Sequence, residues 1–257
     1  MTSASTTRLG LDPELWIRRF HPAREATVRL VCFPHAGGAA STYFPFSRDL
    51  PASVEALSVQ YPGREDRRGE PVLTDVRELA DHLAEALAPW HGERLAFFGH
   101  SMGAIVAFEV ADRLRRYHGV SPVAFFASAR RAPSVGRAEH VHLLDDHGLL
   151  AELRALSGTA AALFDDPEIV RMVLPAIRGD YQAIETYEYS PGAVLDCPVT
   201  AFAGAADHRV AVPEVRAWRE HTTREFALRV FTGGHFYLHE HRAEVVRQVV
   251  RRLEELR

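Results

Sequence analysis

The sequence predicts an α/β protein: a mainly parallel sheet of about seven strands, helices on both faces, and a helical segment inserted late in the chain. Three observations carry this expectation. Short apolar runs of strand length alternate with amphipathic helical patterns. The alternation lapses once, between residues 133 and 197. One apolar run also ends in the tight corner "GHSMG" (99–103), from which a helical pattern departs at once.

The elements follow in chain order. "WIRRF" (16–20) and "TVRLVCF" (27–33) read as strands joined by "HPAREA", which is too short for a crossover helix, so they should pair as an antiparallel edge. A helical pattern over 41–50 leads to the strand "VEALSVQ" (54–60), and a longer one over 74–90 leads to "RLAFFGH" (94–100). Continuous apolar runs such as Leu95-Ala96-Phe97-Phe98 suit strands covered on both faces. The helix predicted over 102–118 carries Ile105, Val106, Phe108, Val110 and Leu114 on its apolar positions. Arg113, Arg115 and Arg116 near its end suit the negative pole of the helix dipole. The strand "VAFFASA" (123–129) comes next. Then "LLDDHGLLAELRAL" and "DPEIVRMVLPAIRGDYQAIETY" read as helices, the second with Pro175 as a kink or break. This 133–197 insertion sits at the carboxyl edge of the sheet, where ligands bind in such folds, and is a candidate lid. "VTAFAGA" (199–205), a helix over 213–221, "ALRVFTG" (227–233) and a helix over 242–256 complete one domain spanning 1–257.

Composition narrows the chemistry. A length of 257 residues with 47% hydrophobic and 25% charged residues fits one sizeable core. A net charge of −4 speaks against a nucleic-acid partner, and no apolar run approaches a membrane span. The opening "MTSASTTRLGLDPELW" lacks a basic region followed by an apolar stretch, so a cytoplasmic location is expected. Two cysteines, Cys32 and Cys197, make no disulfide framework or cysteine-based zinc site. All 30 basic residues are arginine, which excludes phosphate loops, Schiff-base enzymes and Ser-Lys hydrolases. The histidine-rich "HVHLLDDH" (140–147) and "HEH" (239–241) lack convincing ligand spacing, so no metal is expected.

The corner "GHSMG" is a G-x-S-x-G between a strand and a helix, a nucleophile elbow that leaves the hydroxyl of Ser101 clear of the sheet edge. Such a serine needs a base, and in this arrangement the acid and then the histidine follow it in the chain. His235, just past the last strand and after Gly233-Gly234, is the candidate base, with His239 in reserve; His241 and His221 lie further off. Asp207, on the loop after "VTAFAGA", is the candidate orienting acid, since the preceding strand ends in Ser128-Ala129-Arg130 without a carboxylate. Two backbone donors should face the tetrahedral oxyanion. They are the N–H of Met102 and that of Ala36 in "CFPHAGGAAS", where Gly37-Gly38 free the backbone to turn.

The chain resembles the free-standing type II thioesterases that accompany polyketide synthases and nonribosomal peptide synthetases. The similar segments are "FPHAGGAAS" (33–41), "VQYPGRE" (59–65), "FFGHSMGA" (97–104), "SARRAP" (128–133), "VLPAIRGDYQAIETY" (173–187), "AGAADHRV" (203–210) and "GGHFYL" (233–238), which together span nearly the whole chain. The resemblance implies an α/β-hydrolase fold lacking the usual first strand. It also implies hydrolysis of acyl groups from the phosphopantetheine arm of acyl or peptidyl carrier proteins, an editing role. By position, Ser101 would be nucleophile, His235 base, Asp207 orienting acid, and Ala36 and Met102 the oxyanion donors. "AGAADHRV" departs from the commoner form, in which proline follows the aspartate.

The expected enzyme works as a monomer, without cofactor or metal, on carriers met transiently. Arg130 and Arg131, at a strand end near the mouth, would meet the arm's phosphate or an acidic carrier, and Met172 would face inward from the insertion. With no lysine to pair it, a free carboxylate is expected to suit the channel poorly, so acetyl, propionyl and butyryl groups should outpace malonyl-type units. The alternatives are a chain-terminating thioesterase, a general carboxylesterase, and a non-catalytic carrier-binding scaffold.

Overall fold

The structure, a computed structural model, describes residues 12–157 and 165–256. The expectation about a leader rests mainly on residues 1–11, which lie outside the described residues, as do 158–164 of the insertion.

Seven strands form one sheet: β1 (Ile17–Arg18), β2 (Val28–Phe33), β3 (Val54–Val59), β4 (Leu95–His100), β5 (Ala124–Ser128), β6 (Val199–Gly204) and β7 (Phe226–Phe231). Their order is β1-β3-β2-β4-β5-β6-β7, parallel throughout except for β1. The expected antiparallel edge is present, but with a different partner. Ile17 and Arg18 pair with Val59 and Ser58 of β3 rather than with β2. Both sides of β2 are already taken, by β3 and β4, so the first strand is left the open edge of β3. It is also shorter than expected. The Asp12 side chain accepts from the Glu14 N–H and Pro13 occupies a first-turn position, so Pro13–Trp16 winds into a helical turn (α1) instead.

Each central strand packs on both faces. On one side, Phe97 and Phe125 meet α3 (Val76–Ala86) and α4 (Met102–Arg113) through Leu79, Leu83, Ile105 and Phe108. On the other, Phe98, Phe126 and Phe202 meet α2 (Phe44–Arg48) and the last long helix through Phe46, Val245 and Val249. All six residues of β4 are buried, which is why its sequence shows no polar alternation. Helix α3 starts where the Asp75 side chain accepts from the N–H groups of Arg77 and Glu78, and its residues 76, 79, 80 and 83 face the core. Cys32 and Cys197 are buried free thiols.

Within 133–197 the described residues form α5 (Asp146–Ser157) and α6 (Pro167–Glu185), with no strand of the sheet. Helix α6 continues through Pro175 rather than breaking there. Leu174, Ile177 and Tyr181 on either side of the proline share a small apolar cluster with Leu149 and Leu153 of α5, which holds the helix in place. The chain closes with α7 (Val212–Arg216), α8 (Tyr237–Glu240) and α9 (Arg242–Glu255). Register aligns the strand ends: Phe33 lies beside Gly99, His100 beside Ser128, and Gly204 beside Phe231. The loops that leave these ends therefore converge on one edge.

Candidate active site

Ser101 occupies that edge with φ 54° and ψ −123°. A non-glycine residue with positive φ costs about 1–3 kcal/mol and persists only where its surroundings hold it. Here its N–H donates to the Ser128 carbonyl at 2.8 Å, and helix α4 begins at the next residue. The flanking glycines are spatial necessities. A Cβ on Gly99 would lie 2.4 Å from the Ala104 Cα, and one on Gly103 would lie 2.1 Å from the Phe33 carbonyl oxygen.

Three strand-end loops bring the expected side chains together. His235 Nε2 is 2.9 Å from Ser101 Oγ, and His235 Nδ1 is 2.8 Å from Asp207 Oδ2. A carboxylate only accepts, so Nδ1 carries the proton and Nε2 is left to accept the serine hydroxyl. Asp207 is held in turn by its Oδ1, which accepts from the N–H groups of Arg209 at 2.8 Å and Val210 at 3.2 Å. The His235 loop crosses β6 so closely that a Cβ on Gly204 would sit 2.4 Å from the Gly234 carbonyl oxygen. The other candidate histidines have partners of their own, although His239 lines the same cavity as Ser101. His239 stacks on Phe236, His241 bonds Thr232, and His221 bonds Ser134.

Two further histidines surround the site, and sequence reasoning did not single them out. Burial, helped by the neighbouring imidazoles of His235 and His239, pushes His35 down to about 3. His100 is likewise held well below the ordinary range, chiefly by burial. Its Nδ1 pairs with Ser128 Oγ at 2.8 Å, which lies 2.6 Å from the Tyr237 hydroxyl. Both rings are neutral neighbours of His235.

The loop after β2 presents Ala36 beside Ser101 in the same cavity lining. The next two amides are committed. Gly37 N–H donates to Asp180 Oδ2 at 2.7 Å, and Gly38 N–H donates to the His35 carbonyl at 2.8 Å. No acceptor meets the Ala36 N–H among the described residues. Met102, first in α4, likewise has an N–H with no intrahelical acceptor. Gly37 needs its freedom doubly: its φ is 77°, and a Cβ there would fall 2.5 Å from Ile177. Arg64 secures the loop by donating to the Gly38 carbonyl and, through both terminal nitrogens, to Asp180 of α6. Arg64 and Asp180 were not among the expected site residues.

An apolar cavity of about 280 Å³ opens from Ser101 and His235 toward the insertion. Ile169, Val173, Ile177 and Tyr181, spaced four apart, line it from α6, with Leu153 and Leu156 opposite on α5. Met172 does not. It is 58% exposed, because one step along a helix turns a side chain about 100° from its neighbour. The inward position is Val173. Arg130 and Arg131 line a small recess shared with Ser101 and Met102. Arg131 is buried and paired with Glu139, so it is not free to meet an incoming phosphate, whereas Arg130 is part-exposed. The loop after β5 turns at Ala129, φ 50°.

The chain matches the thioesterase domain family over residues 28–254. It is 55% identical over 242 residues to Thioesterase PikA5 of Streptomyces venezuelae, covering 94% of this chain and 86% of that protein. It is 37% identical to the gramicidin S biosynthesis protein GrsT of Aneurinibacillus migulanus, covering 93% of each. Among solved structures, the type II thioesterase BorB from the borrelidin biosynthetic cluster superposes with a TM-score of 0.88 at 50% identity, covering 95% of this chain and 98% of that one. YbtT, a type II thioesterase from the yersiniabactin pathway, gives 0.83 at 30% identity over 94% and 99%. The α/β-hydrolase architecture expected from the sequence is the one these comparisons share.

Proposed function

Because this chain belongs to the thioesterase domain family, we propose that it hydrolyses acyl groups from the phosphopantetheine arm of carrier proteins, as an editing enzyme of polyketide or nonribosomal peptide synthesis. The observation that carries the reading is the continuous relay from Asp207 through His235 to Ser101, opening onto an apolar cavity.

The chemistry follows from that relay. His235 Nε2 takes the Ser101 proton as Oγ attacks the thioester carbonyl, and the carbonyl electron pair moves onto oxygen, facing the N–H groups of Ala36 and Met102. Asp207 stabilises the imidazolium and keeps the proton on Nδ1. Collapse breaks the C–S bond, and His235 returns the proton to the departing thiolate. Water then gives a proton to His235 and adds to the acyl-serine. Loss of Oγ, reprotonated by His235, frees the acid. The sum is thioester plus water giving acid plus thiol, and it needs no resident cofactor, since the prosthetic arm arrives with its carrier.

Editing fits the cavity's walls. Methylene-scale differences in an apolar channel give only about 10- to 200-fold discrimination, so many stalled chains can be cleared. The segment 133–197 supplies α5 and α6 as walls and acts as a lid over the arm. The enzyme works as a cytoplasmic monomer that meets carriers in passing; no helix among the described residues is long and apolar enough to cross a membrane. The test is mass spectrometry of carrier proteins loaded with short and long acyl groups. Loss of the acyl mass with the native protein, and its retention with Ser101→Ala, is the expected result. Retention with both overturns the reading.

A further inference from the structure

Two buried tyrosines grip the backbone just ahead of Ala36. The chain leaves β2 at Phe33, whose carbonyl accepts from the Tyr43 hydroxyl at 2.8 Å. The next carbonyl, that of Pro34, accepts from the Tyr61 hydroxyl at 3.3 Å. Tyr43 ends the helical turn Ala40–Tyr43, and Tyr61 lies two residues past β3.

Tyr43 reaches a second strand as well. Burial raises its hydroxyl well above the ordinary value of 10, and the backbone N–H of His100, which interacts with the same oxygen, works the other way. His100 is the last residue of β4 and stands next to Ser101. The register pairs Phe33 with Gly99, so this hydroxyl lies where the ladder between β2 and β4 ends. Strand ends part most easily at that point, because no further rung holds them. The Tyr43 ring is itself fixed, edge-on to Phe46 and Phe98 with centroids 5.9 and 6.0 Å away. One anchored hydroxyl thus touches the ends of both strands from which Ala36 and Met102 depart.

Resting on the thioesterase reading, we propose that Tyr43 is a positioning residue. Its hydroxyl sets the spacing between the ends of β2 and β4, and with it the spacing of the Ala36 and Met102 N–H groups that receive the oxyanion. Tyr61 assists by holding Pro34 alone. Such donors work only at about 2.7–3.1 Å from the developing charge, so a small drift weakens the transition state while the apolar cavity still binds the chain.

The test uses Tyr43→Phe, which deletes one oxygen and keeps the ring contacts, beside Tyr61→Phe and a control, Thr222→Val. Thr222 Oγ1 donates to the Cys197 carbonyl at 2.6 Å, a buried bond at the opposite, amino-terminal edge of the sheet. Two rates are read: hydrolysis of a butyryl-carrier thioester, and phosphonylation of Ser101 by a fluorophosphonate, whose phosphoryl oxygen takes the oxyanion position. Tyr43→Phe should lower kcat and the phosphonylation rate about 10- to 100-fold with KM within about twofold, short of the 100- to 1,000-fold of a donor removed outright. Tyr61→Phe should lower both by a smaller factor, and it carries the comparison alone if Tyr43→Phe does not fold. Thr222→Val should lose melting temperature and keep both rates. Native rates in the tyrosine variants, an equal loss in Thr222→Val, or a loss confined to KM overturns the positioning role. Slowed phosphonylation in Tyr43→Phe supports that role even if the native protein hydrolyses no thioester, an outcome in which the thioesterase reading alone fails. Butyryl turnover that is equal in the native protein and Tyr43→Phe fails the positioning role alone.

Discussion

Arg64 and Asp180 stand 116 residues apart in the chain and meet through two N–H···O bonds of 2.6 and 2.8 Å. The arginine side chain is 7% exposed and the aspartate 0%. The same carboxylate accepts the Gly37 N–H, and the same guanidinium donates to the Gly38 carbonyl at 3.0 Å. One buried pair therefore ties the turn that follows Ala36 to helix α6.

Breaking this pair should damage rate more than binding. Asp180→Ala leaves a buried guanidinium uncompensated, a loss of about 3–5 kcal/mol in stability. It also releases the Gly37 amide, so kcat should fall tenfold or more, with a smaller change in KM, when an oxyanion donor is worth about 100- to 1,000-fold. The double variant Arg64→Met with Asp180→Leu separates the two effects: melting temperature should recover while kcat stays low. Recovery of both would show that the pair only stabilises the fold.

Ser101→Ala and His235→Ala should each abolish most turnover, and the double variant should be no worse than either alone, because the two act as one unit. Steady-state rates on an acyl-carrier substrate check this. Independent, multiplying losses would dissociate His235 from the nucleophile.

Helix α6 should set chain length from one face only. Val173→Phe projects into the apolar cavity and should slow octanoyl more than acetyl hydrolysis, by the roughly 10- to 200-fold that methylene-scale fits allow. Met172→Phe, on the solvent side, should change that ratio less than about twofold, as surface substitutions usually do. A reversed pattern would mean that the helix turns its other face to the substrate.

Acid should loosen the site through its neutral histidines. His100 and His35 have folded values below the unfolded one of about 6.5, so the unfolded chain binds more protons beneath that pH. Their contribution is complete above about pH 6.5 and declines as pH falls toward the folded values, by up to about 1.4 kcal/mol per pH unit for each ring. Urea titrations at pH 7 and pH 5 should show the loss, and His100→Asn should shrink it. An equal pH dependence in the variant would remove His100 from the account.

Ser101 was legible from five residues because an elbow is a local demand: the glycines beside it are required by contacts within a few residues or with the adjacent strand. Asp207 and His235 were legible from their places at strand ends, since parallel strands deliver their loops to one edge. Four features were not. A two-residue strand has almost no pattern of its own, so the partner of β1 was settled only by which edges of β2 were already filled. Met172 and Val173 are both apolar, and only the packing of α6 decides which one turns inward. Arg64 and Asp180 each sit in a stretch where a charge reads as a turn or a solvated helix face. Their bond is a long-range fact that neither stretch contains. His35 and His100 lay inside recognised motifs, yet nothing in the spelling says that a ring is buried.

The separation of 134 positions from Ser101 to His235 also sets a timetable. A ribosome adding about 5–20 residues per second delivers the serine on the order of 7 to 27 seconds before the histidine. Until β7 has joined the sheet and the following loop has folded over β6, the emerging chain carries an elbow without a base. As proposed nucleophile, Ser101 is thus silent until that loop has formed. On the roles proposed for Ser101 and His235, a chain released before the last strand would keep its serine and hydrolyse nothing.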